Sequence, residues 1–385
     1  MSSTTSTDSR FRLTIALTTM ALIGCGSTYE PAAGVGAGVG TQDGGGLLDG
    51  RAASDTSPVV DTVGQQDVNV AKDTAVAGDV ASPTSALVDP ACIDGQYQEV
   101  LPTGKQDISD LVSGYTPAGY MSFINTALER RYPLGKMLVT DAIDRAPQHC
   151  VDTFLPASFR SSASQVLSRM GVIVHECGHF YDIYKKGKAF GASHYQITEG
   201  LGFTCTGAAN QGAKSTFARS LINTDKWASA NKPCAKLGDQ GCDSYAAIYL
   251  NGDPNDGKFE SGDQGFNMLF EEVVQYVNSL AEAVAFKDQI FGATSARDGI
   301  LTFVWYMTRY LQMARLQYPD SYEILSQNKC WREAILTVWG RAWLYLEATK
   351  GDKKLTIKGD KLLVNATEPD LVNEIALLRK IQGCP

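Results

Sequence analysis

The chain has 385 residues, of which 44% are hydrophobic and 20% are charged, so it can bury a substantial core in one large domain or two smaller ones. Its formal net charge is −8, and no run of basic residues indicates binding to nucleic acid. Nine cysteines and an apolar N-terminal run are typical of an exported protein.

The N-terminus carries an export signal. Arg10 and Arg12 precede the apolar run LTIALTTMALIG, which is shorter than the ~20 residues that a membrane-spanning helix needs. The run ends at LIGC, which resembles the lipobox of bacterial lipoproteins and implies cleavage before Cys25 and lipid attachment to its thiol. We therefore predict that residues 1–25 are a lipoprotein signal peptide and that the mature chain is lipid-anchored in the bacterial cell envelope, facing the periplasm or the cell exterior. The alternative is an ordinary secretory signal with an incidental cysteine.

Residues 26–90 differ in composition from the rest of the chain. They are rich in Gly, Ala, Val, Asp, Ser and Thr, and Tyr29 is their one aromatic residue. Nine acidic and two basic residues give this segment a net charge of −7, so the remainder of the chain is close to neutral. Such a segment cannot bury enough apolar surface to offset the entropy of ordering it. We predict a disordered acidic tether.

Residues 91–385 have the composition of a folded domain. The stretch TPAGYMSFINTALERRY predicts a helix, with Thr116 as its cap and Pro117 at its first position. The short apolar run KMLVTDAI that follows predicts a strand.

The middle of the domain mixes helix, strand and loop signals. Residues 162–186 have apolar side chains at helical spacing, and the helix is expected to stop at Gly187. The stretch HYQITEGLGFTCTG predicts strand and turn. Residues 207–265 are dense in Gly, Asn and Asp and predict a loop region. Its run NGDPNDGKFESGD resembles a calcium loop, but glycine stands at the seventh position and not the sixth, which favours a surface loop.

The C-terminal third predicts helices whose Trp and Met stripes belong to the core. The segments are GFNMLFEEVVQYVNSLAEAVAF, ARDGILTFVWYMTRYLQMARLQY, CWREAILTVWGRAWLYLEATK and EPDLVNEIALLRKIQ. The predicted class is therefore α+β and mainly α, with a helical C-terminal part and a small β element.

Eight cysteines remain beside Cys25, and an even number in an exported domain predicts disulfides. Cys234 and Cys242 bracket a short polar loop and form the best local pair, while Cys384 is expected to pin the C-terminus, with Cys330 as its suggested partner. No cysteine spacing is typical of a thiolate zinc site, so we interpret Cys177 as a buried core residue. The eight are Cys92, Cys150, Cys177, Cys205, Cys234, Cys242, Cys330 and Cys384.

The stretch VIVHECGHFYDIYKKG contains two of the chain's four histidines. His175 and His179 are four residues apart on a predicted helix, so both imidazoles project from one face and reach a single metal ion. Glu176 lies between them, where a carboxylate can take a proton from a zinc-bound water and later protonate a leaving amine. The alternative is a chance pair of histidines on an amphipathic helix.

This order of residues resembles the HExxH metallopeptidases, the zincins. The resemblance covers about eleven residues with their apolar surround, and it implies a zincin-like catalytic domain with Zn²⁺ as its cofactor. A catalytic zinc normally has three protein ligands and a water, so a third ligand is required. The metzincin continuation is absent, because Asp182 stands at its glycine position and Lys185 at its third histidine. His149 and His194 lie in no supporting motif.

Two glutamates are candidates for the third ligand and would make the chain resemble the gluzincins. Glu199, 20 residues after His179, has a spacing and a Glu-Gly pair that resemble that group, but its surroundings predict strand and turn where those ligands lie on a helix. Glu272 lies on the clearest later helix, although the gap of 93 residues is long and a solvated acid beside Glu271 is the plainer interpretation. We favour Glu272 and keep Glu199 as the alternative.

Tyr276 falls one turn after Glu272 on the same predicted helix face. It is a candidate to hydrogen-bond the site or a substrate oxyanion, and so a candidate catalytic residue. The stretch GDQGFNMLFEEVVQYVNSLA resembles a group of uncharacterised bacterial lipoproteins with HExxH motifs, in which the second acid and this tyrosine recur. Arg219 and Arg309 are candidates to bind a substrate carboxylate, but structural salt bridges are the commoner role of arginine.

Together these features predict a membrane-anchored zinc metallopeptidase, of endopeptidase or aminopeptidase-like type, that acts on a peptide or protein substrate with Glu176 as the general base. A binding or scaffold lipoprotein with a structural or vestigial metal site is the alternative from another class. Zinc-dependent hydrolysis of a non-peptide substrate, such as a cell-wall amide, is a third possibility.

Overall fold

The computed structural model describes residues 86–145, 150–185, 191–207, 217–228, 232, 242–250 and 264–385. The predicted signal peptide, Cys25, nearly all of the predicted tether, His149 and Cys234 lie outside the described residues. None of the helices in the described ranges is long and apolar enough to cross a membrane.

The described residues are mainly α-helical, with one small antiparallel sheet, which confirms the predicted α+β class. In the N-terminal half the helices are α1 (Ile93–Gln96), α2 (Ser109–Ser113), α3 (Tyr120–Arg131), α4 (Pro133–Arg145), α5 (Cys150–Phe154), α6 (Ala163–Leu167) and α7 (Met170–Lys185). The strands β1 (Ala192–Thr198) and β2 (Leu201–Thr206) follow. The later helices are α8 (Ala246–Tyr249), α9 (Phe266–Ala285), α10 (Ala296–Gln317), α11 (Pro319–Gln327), α12 (Lys329–Ala348), α13 (Gly359–Ala366) and α14 (Pro369–Gln382).

The prediction of a strand over KMLVTDAI is wrong, because this run lies inside α4. Pro133 starts the helix, where its missing N–H costs nothing. Leu134, Leu138 and Val139 are buried at helical spacing, and the eight-residue run contains only part of that pattern.

The single helix predicted over residues 162–186 is in fact two. Ser162 caps α6 by accepting a hydrogen bond from the Gln165 N–H. The Ser168 hydroxyl then donates to the carbonyl of Gln165 at 2.7 Å, and side-chain bonding of this kind competes with a continuous helix. The chain re-enters helical geometry at Met170, so the histidine motif lies in the middle of α7.

The strand-and-turn prediction after α7 is confirmed by the hairpin of β1 and β2, in which His194 pairs with Thr204. The hairpin lies against both α7 and α9. The backbone N–H of Gln196 donates to Asp182 of α7 at 3.0 Å, and the Tyr195 hydroxyl donates to the carbonyl of Asn267 in α9 at 3.1 Å.

Helices α7 and α9 run antiparallel and in close contact at the centre of the domain. Three facing pairs define this contact: Gly171 with Glu282, His175 with Ser279, and Gly178 with Gln275. Gly178 is required here, since a methyl group at this position would lie 1.9 Å from Gln275 Oε1. The Gln275 side chain therefore crosses the surface of α7 at a point where α7 has no side chain.

The remaining core is rich in aromatic side chains from α10 and α12, as predicted for the Trp and Met stripes. Trp305, Met307, Trp331 and Trp339 are at most 1% exposed. Helix α10 packs on α9 through Gly299, where a Cβ atom would lie 2.3 Å from the ring of Tyr276.

Three disulfides connect distant parts of the described chain: Cys92–Cys384, Cys150–Cys177 and Cys205–Cys330. The suggested pairing of Cys384 with Cys330 is therefore wrong. Cys177 is buried as predicted, but it is a disulfide partner that joins α7 to α5 and not a free core thiol. Cys242 is also disulfide-bonded, and the partner suggested for it, Cys234, lies outside the described residues.

Replacing Gly178 tests the close approach of α7 and α9. We expect Gly178→Ala to lower the free energy of unfolding by about 1–3 kcal/mol, because the new methyl group overlaps the buried Gln275 amide. The loss should occur even though alanine favours a helix by up to about 1 kcal/mol over glycine.

Urea unfolding of the mature exported chain measures this effect. Gly200→Ala is the matched control, because a Cβ atom at this hairpin turn would meet nothing within 4 Å. Its free energy of unfolding should change by less than about 0.5 kcal/mol. Equal stability of the two variants would contradict the packing described here.

Candidate metal centre

Three side chains from α7 and α9 meet in the buried contact between the helices. His175 and His179 lie one turn apart on α7, and Glu272 projects from the N-terminal part of α9. The three residues are 1%, 5% and 4% exposed, respectively. In the described part of the chain they form the one group of three or more His, Cys, Asp or Glu residues that could hold a metal ion.

The distances among the three atoms match a tetrahedral site. His175 Nε2 and His179 Nε2 are 3.1 Å apart, and they lie 3.2 Å and 3.6 Å from Glu272 Oε2. A tetrahedral zinc ion with bonds of about 2.0–2.1 Å separates its ligands by about 3.3–3.4 Å. Two imidazole nitrogens and a carboxylate oxygen are also ligands that zinc prefers. The residues present therefore fit a metal ion, although they do not identify which metal it is.

The electrostatics of the group demand a positive charge. Glu272 Oε2 is buried without a hydrogen-bond donor in the described residues, and buried carboxylates are costly unless compensated. Burial opposes protonation of His179, but the carboxylates of Glu271 and Glu272 outweigh it and raise the pKa of His179 well above its ordinary value. For Glu272, burial is outweighed by His179 and His175, and its pKa is lowered. In the absence of a cation, a proton on His179 supplies the charge.

Glu176 lies on the same helix, directly after His175, and is half-buried. It is thus more accessible than the three candidate ligands beside it. A half-buried carboxylate can exchange protons with water, and the catalytic role of Glu176 stays a prediction.

Tyr276 packs against the site, as its predicted position on α9 requires. Its ring contacts the ring of His175 edge-on, with centroids 4.7 Å apart, and stacks on Phe303 at 4.4 Å. The Tyr276 hydroxyl lies 3.2 Å from the hydroxyl of Tyr249 in α8. The ring thus forms part of the wall beside His175, and a catalytic role for its hydroxyl stays a prediction.

The alternative third ligand, Glu199, is not in the group. It lies exposed at the turn between β1 and β2, because the Glu-Gly pair turns the chain between the strands. There it lines a separate cleft of about 430 Å³ together with Glu99, Arg131 and Arg341.

The other side chains singled out in the sequence have structural contacts. His194 lies on β1, where its ring nitrogens contact Thr204 Oγ1 at 2.8 Å and Gln196 Oε1 at 3.0 Å. Arg309 donates to the carboxylate of Asp225 and lies over the ring of Trp305, so its role is a structural ion pair. Arg219 is buried, with its guanidinium 5.4 Å from the ring centre of Tyr249.

The polar side chains that surround the metal group were not evident in the sequence. Asp182 accepts hydrogen bonds from Gln275 Nε2 and from the Gln196 backbone, each at 3.0 Å. Gln275 Oε1 in turn accepts a hydrogen bond from Asn278 Nδ2. Asn278 Oδ1 accepts a hydrogen bond from Arg341 Nη1 at 2.7 Å. The sequence signal for these residues is a stripe of polar side chains every three or four positions on α9. Such a stripe normally indicates a face exposed to solvent.

Burial also affects a carboxyl group away from the candidate metal ligands. Glu282, near the C-terminal end of α9, is 5% exposed and faces Gly171. Burial raises the pKa of Glu282 to about 8, so it is a neutral carboxylic acid at pH 7.

Comparison of the chain with protein-family models, with curated proteins and with solved structures gave no match.

Loss of Glu272 tests the composition of the metal centre. We expect Glu272→Ala to weaken Zn²⁺ binding by more than the roughly 10–100-fold that loss of an outer-shell partner costs, because a direct ligand is removed. Competition with a chromogenic chelator measures the affinity, and elemental analysis gives the stoichiometry. Glu199→Ala removes the other candidate carboxylate and should bind zinc like the wild type. The reverse result would make Glu199 the ligand.

The buried carboxyl of Glu282 predicts a pH-dependent stability difference. Between its ordinary pKa of 4.5 and its folded pKa of about 8, the folded chain keeps a proton that the unfolded chain releases. The free energy of unfolding contributed by this group therefore falls as pH rises through that window, by a few kcal/mol in total, and is level outside it.

Glu282→Gln removes this titration while preserving the shape of the side chain. Relative to the wild type, the variant should gain stability steadily from about pH 4.5 to about pH 8. Urea unfolding of both proteins at several pH values, with chelator present, isolates the effect, since all other groups are shared. A stability difference that does not vary with pH would show that Glu282 is ionised in the folded chain.

Proposed function

We propose that this protein is a zinc-dependent metallopeptidase of the bacterial cell envelope. The observation that carries the proposal is the buried group of His175, His179 and Glu272, with ligand atoms 3.1–3.6 Å apart and Glu176 next to the first histidine. Two histidines and a glutamate are one of the ligand sets of catalytic zinc, whereas structural zinc sites have four protein ligands. Three such ligands are found within the described residues.

His175, His179 and Glu272 would hold the metal ion. When bound, zinc supplies Lewis acidity for a scissile carbonyl and lowers the pKa of a water ligand to about 7. Because the three side chains are buried in the contact between α7 and α9, they are positioned before the substrate arrives, and little reorganisation accompanies the reaction.

Glu176 performs the proton transfers in this proposal. Its carboxylate removes a proton from the attacking water, and the resulting carboxylic acid gives that proton to the leaving amine. The half-buried position of Glu176 suits this role, since the side chain must meet both water and substrate. Tyr276 and its partner Tyr249 would form an aromatic wall of the site on the side of His175.

The proposed location rests on the export signal and on the disulfides. Cys92, Cys150, Cys177, Cys205, Cys242, Cys330 and Cys384 are disulfide-bonded, which is compatible with an oxidising compartment outside the cytoplasm. Lipid attachment at Cys25 would anchor the domain to a membrane, with residues 26–90 as the tether between them. Peptides or proteins at that surface are the proposed substrates.

Glu176→Gln tests the mechanism. The variant should bind zinc as tightly as the wild type, because no ligand changes, but its peptide hydrolysis should fall about 10²–10⁴-fold through loss of the general base. Cleavage of a mixed peptide library, followed by mass spectrometry, measures activity across many sequences at once and so requires no chosen substrate.

Glu199→Gln is the control for a neutralised carboxylate elsewhere, and it should keep full activity. Full activity of Glu176→Gln would exclude the proposed mechanism. Wild-type protein that holds one zinc ion yet cleaves neither peptides nor cell-wall amides would favour a binding or scaffold protein with a structural metal. Cleavage of cell-wall amides alone would change the substrate class and keep the catalytic site.

A further inference from the structure

We infer that Glu271 and Ser279 are positioning residues, which fix the ring orientation and the tautomer of the two metal-binding histidines. This inference rests on the metal centre of the proposed function. Each residue contacts the ring nitrogen that faces away from the ligand group: Ser279 Oγ lies 3.2 Å from His175 Nδ1, and Glu271 Oε1 lies 3.0 Å from His179 Nδ1.

The proton on His175 follows from the hydrogen bonds of Ser279. The Ser279 hydroxyl donates its single hydrogen to the backbone carbonyl of Gln275 at 3.1 Å, one turn earlier in α9. Its oxygen is then available to His175 only as an acceptor, so His175 Nδ1 must carry the hydrogen. In a neutral imidazole, Nε2 is left with a free lone pair, which is the form that binds a metal.

The proton on His179 follows from the position of Glu271. Its carboxylate oxygen lies 3.0 Å from His179 Nδ1 and attracts a ring hydrogen in preference to a lone pair, so the hydrogen of a neutral His179 belongs on Nδ1. The contact is not directed along the ring N–H, since neither atom has a well-aligned hydrogen bond. Glu271 therefore acts on His179 through a close polar contact and not through an aligned hydrogen bond. His179 Nε2 is again left to face the metal group.

The consequence is a set of three acceptors that face one another. His175 Nε2, His179 Nε2 and Glu272 Oε2 lie within 3.6 Å of one another, and neither neutral imidazole carries a hydrogen on Nε2. Lone pairs at these distances repel unless a positive charge, from a metal ion or from a proton, lies between them. Glu271 and Ser279 thus commit both histidines to metal binding, as outer-shell partners do in other metal sites.

One helix supplies both positioning residues and the carboxylate of the metal group. Glu271, Glu272 and Ser279 all belong to α9 and span about 12 Å along its axis at 1.5 Å per residue. Consecutive residues point about 100° apart around a helix, so Glu272 faces the group while Glu271 reaches the far side of the His179 ring. Gln275 fixes α9 against α7 through its bond to Asp182 at 3.0 Å. Glu272, Glu271 and Ser279 are therefore held in fixed relative positions by one helix.

Zinc affinity of the full mature chain tests the inference. We expect Ser279→Ala and Glu271→Gln each to weaken binding by about 10–100-fold in chelator competition at fixed pH. Ser279→Thr keeps the hydroxyl and should stay close to the wild-type affinity. Glu282→Gln changes a buried acid on the same helix that faces Gly171 and is neutral at pH 7, and it should also leave the affinity unchanged.

A second readout separates positioning from general loss of structure. With Co²⁺ in place of zinc, the visible absorption bands report ligand geometry, so they should shift in Ser279→Ala and Glu271→Gln and return in Ser279→Thr. Melting temperatures without metal should stay near the wild-type value. Ser279→Ala deletes one oxygen from a half-buried side chain, so this variant is expected to fold even if Glu271→Gln does not.

The outcomes distinguish this inference from the proposed function. Wild-type protein that binds no metal would overturn both. Wild-type protein that binds zinc, with unchanged affinity and cobalt spectra in Ser279→Ala and Glu271→Gln, would overturn the positioning roles and leave the proposed peptidase intact. The positioning roles would also be overturned if Ser279→Thr or Glu282→Gln weakened zinc binding as much as Ser279→Ala does. The loss of affinity would then be independent of the Ser279 hydroxyl and the Glu271 carboxylate.

Discussion

The close contact between α7 and α9 is the constraint on which the rest of the structure depends. It buries four carboxyl groups, those of Asp182, Glu271, Glu272 and Glu282, in the centre of a mainly helical domain. Buried carboxylates are tolerated only when they are hydrogen-bonded, paired with a cation or protonated. The four groups use different solutions: Asp182 receives two N–H donors, Glu282 is protonated, and Glu271 and Glu272 lie against histidines. A divalent cation held by the two histidines and Glu272 would compensate the buried charge of Glu272 with the most suitable geometry.

Much of the candidate site could be predicted because it depends on local periodicity. The helix that contains His175 and His179 follows from apolar residues every three or four positions, and Glu272 lies on the clearest amphipathic helix after it. The choice between Glu272 and Glu199 was harder, since sequence spacing favoured Glu199. The structure separates them because a Glu-Gly pair between two strands makes an exposed turn, whereas α9 is central and buried on nearly all sides. This burial also contradicts the plainer interpretation of Glu272 as a solvated acid beside Glu271.

The parts that could not be predicted depend on contacts between distant segments. The disulfides join residues separated by 27, 125 and 292 positions, and no local pattern selects those pairs from the many that are possible. The supposed strand in α4 failed for a related reason. Its apolar residues pack on α7, and an eight-residue window does not reveal whether a short apolar run is covered by a sheet or by another helix.

In the sequence His-Glu-Cys-Gly-His, one turn of helix combines the candidate metal ligands with packing residues. Cys177 lies about 200° around α7 from each histidine, so its disulfide to Cys150 holds the face opposite the two histidines. Gly178 leaves the space that the Gln275 side chain occupies, which lets α9 bring its carboxylate to the histidines. The two positions between Glu176 and His179 are therefore constrained in this chain, one by a covalent link and one by the volume of a neighbouring amide. Glu176 is the one half-buried residue of these five, since both histidines, Cys177 and Gly178 are buried in the contacts of α7 with its neighbours.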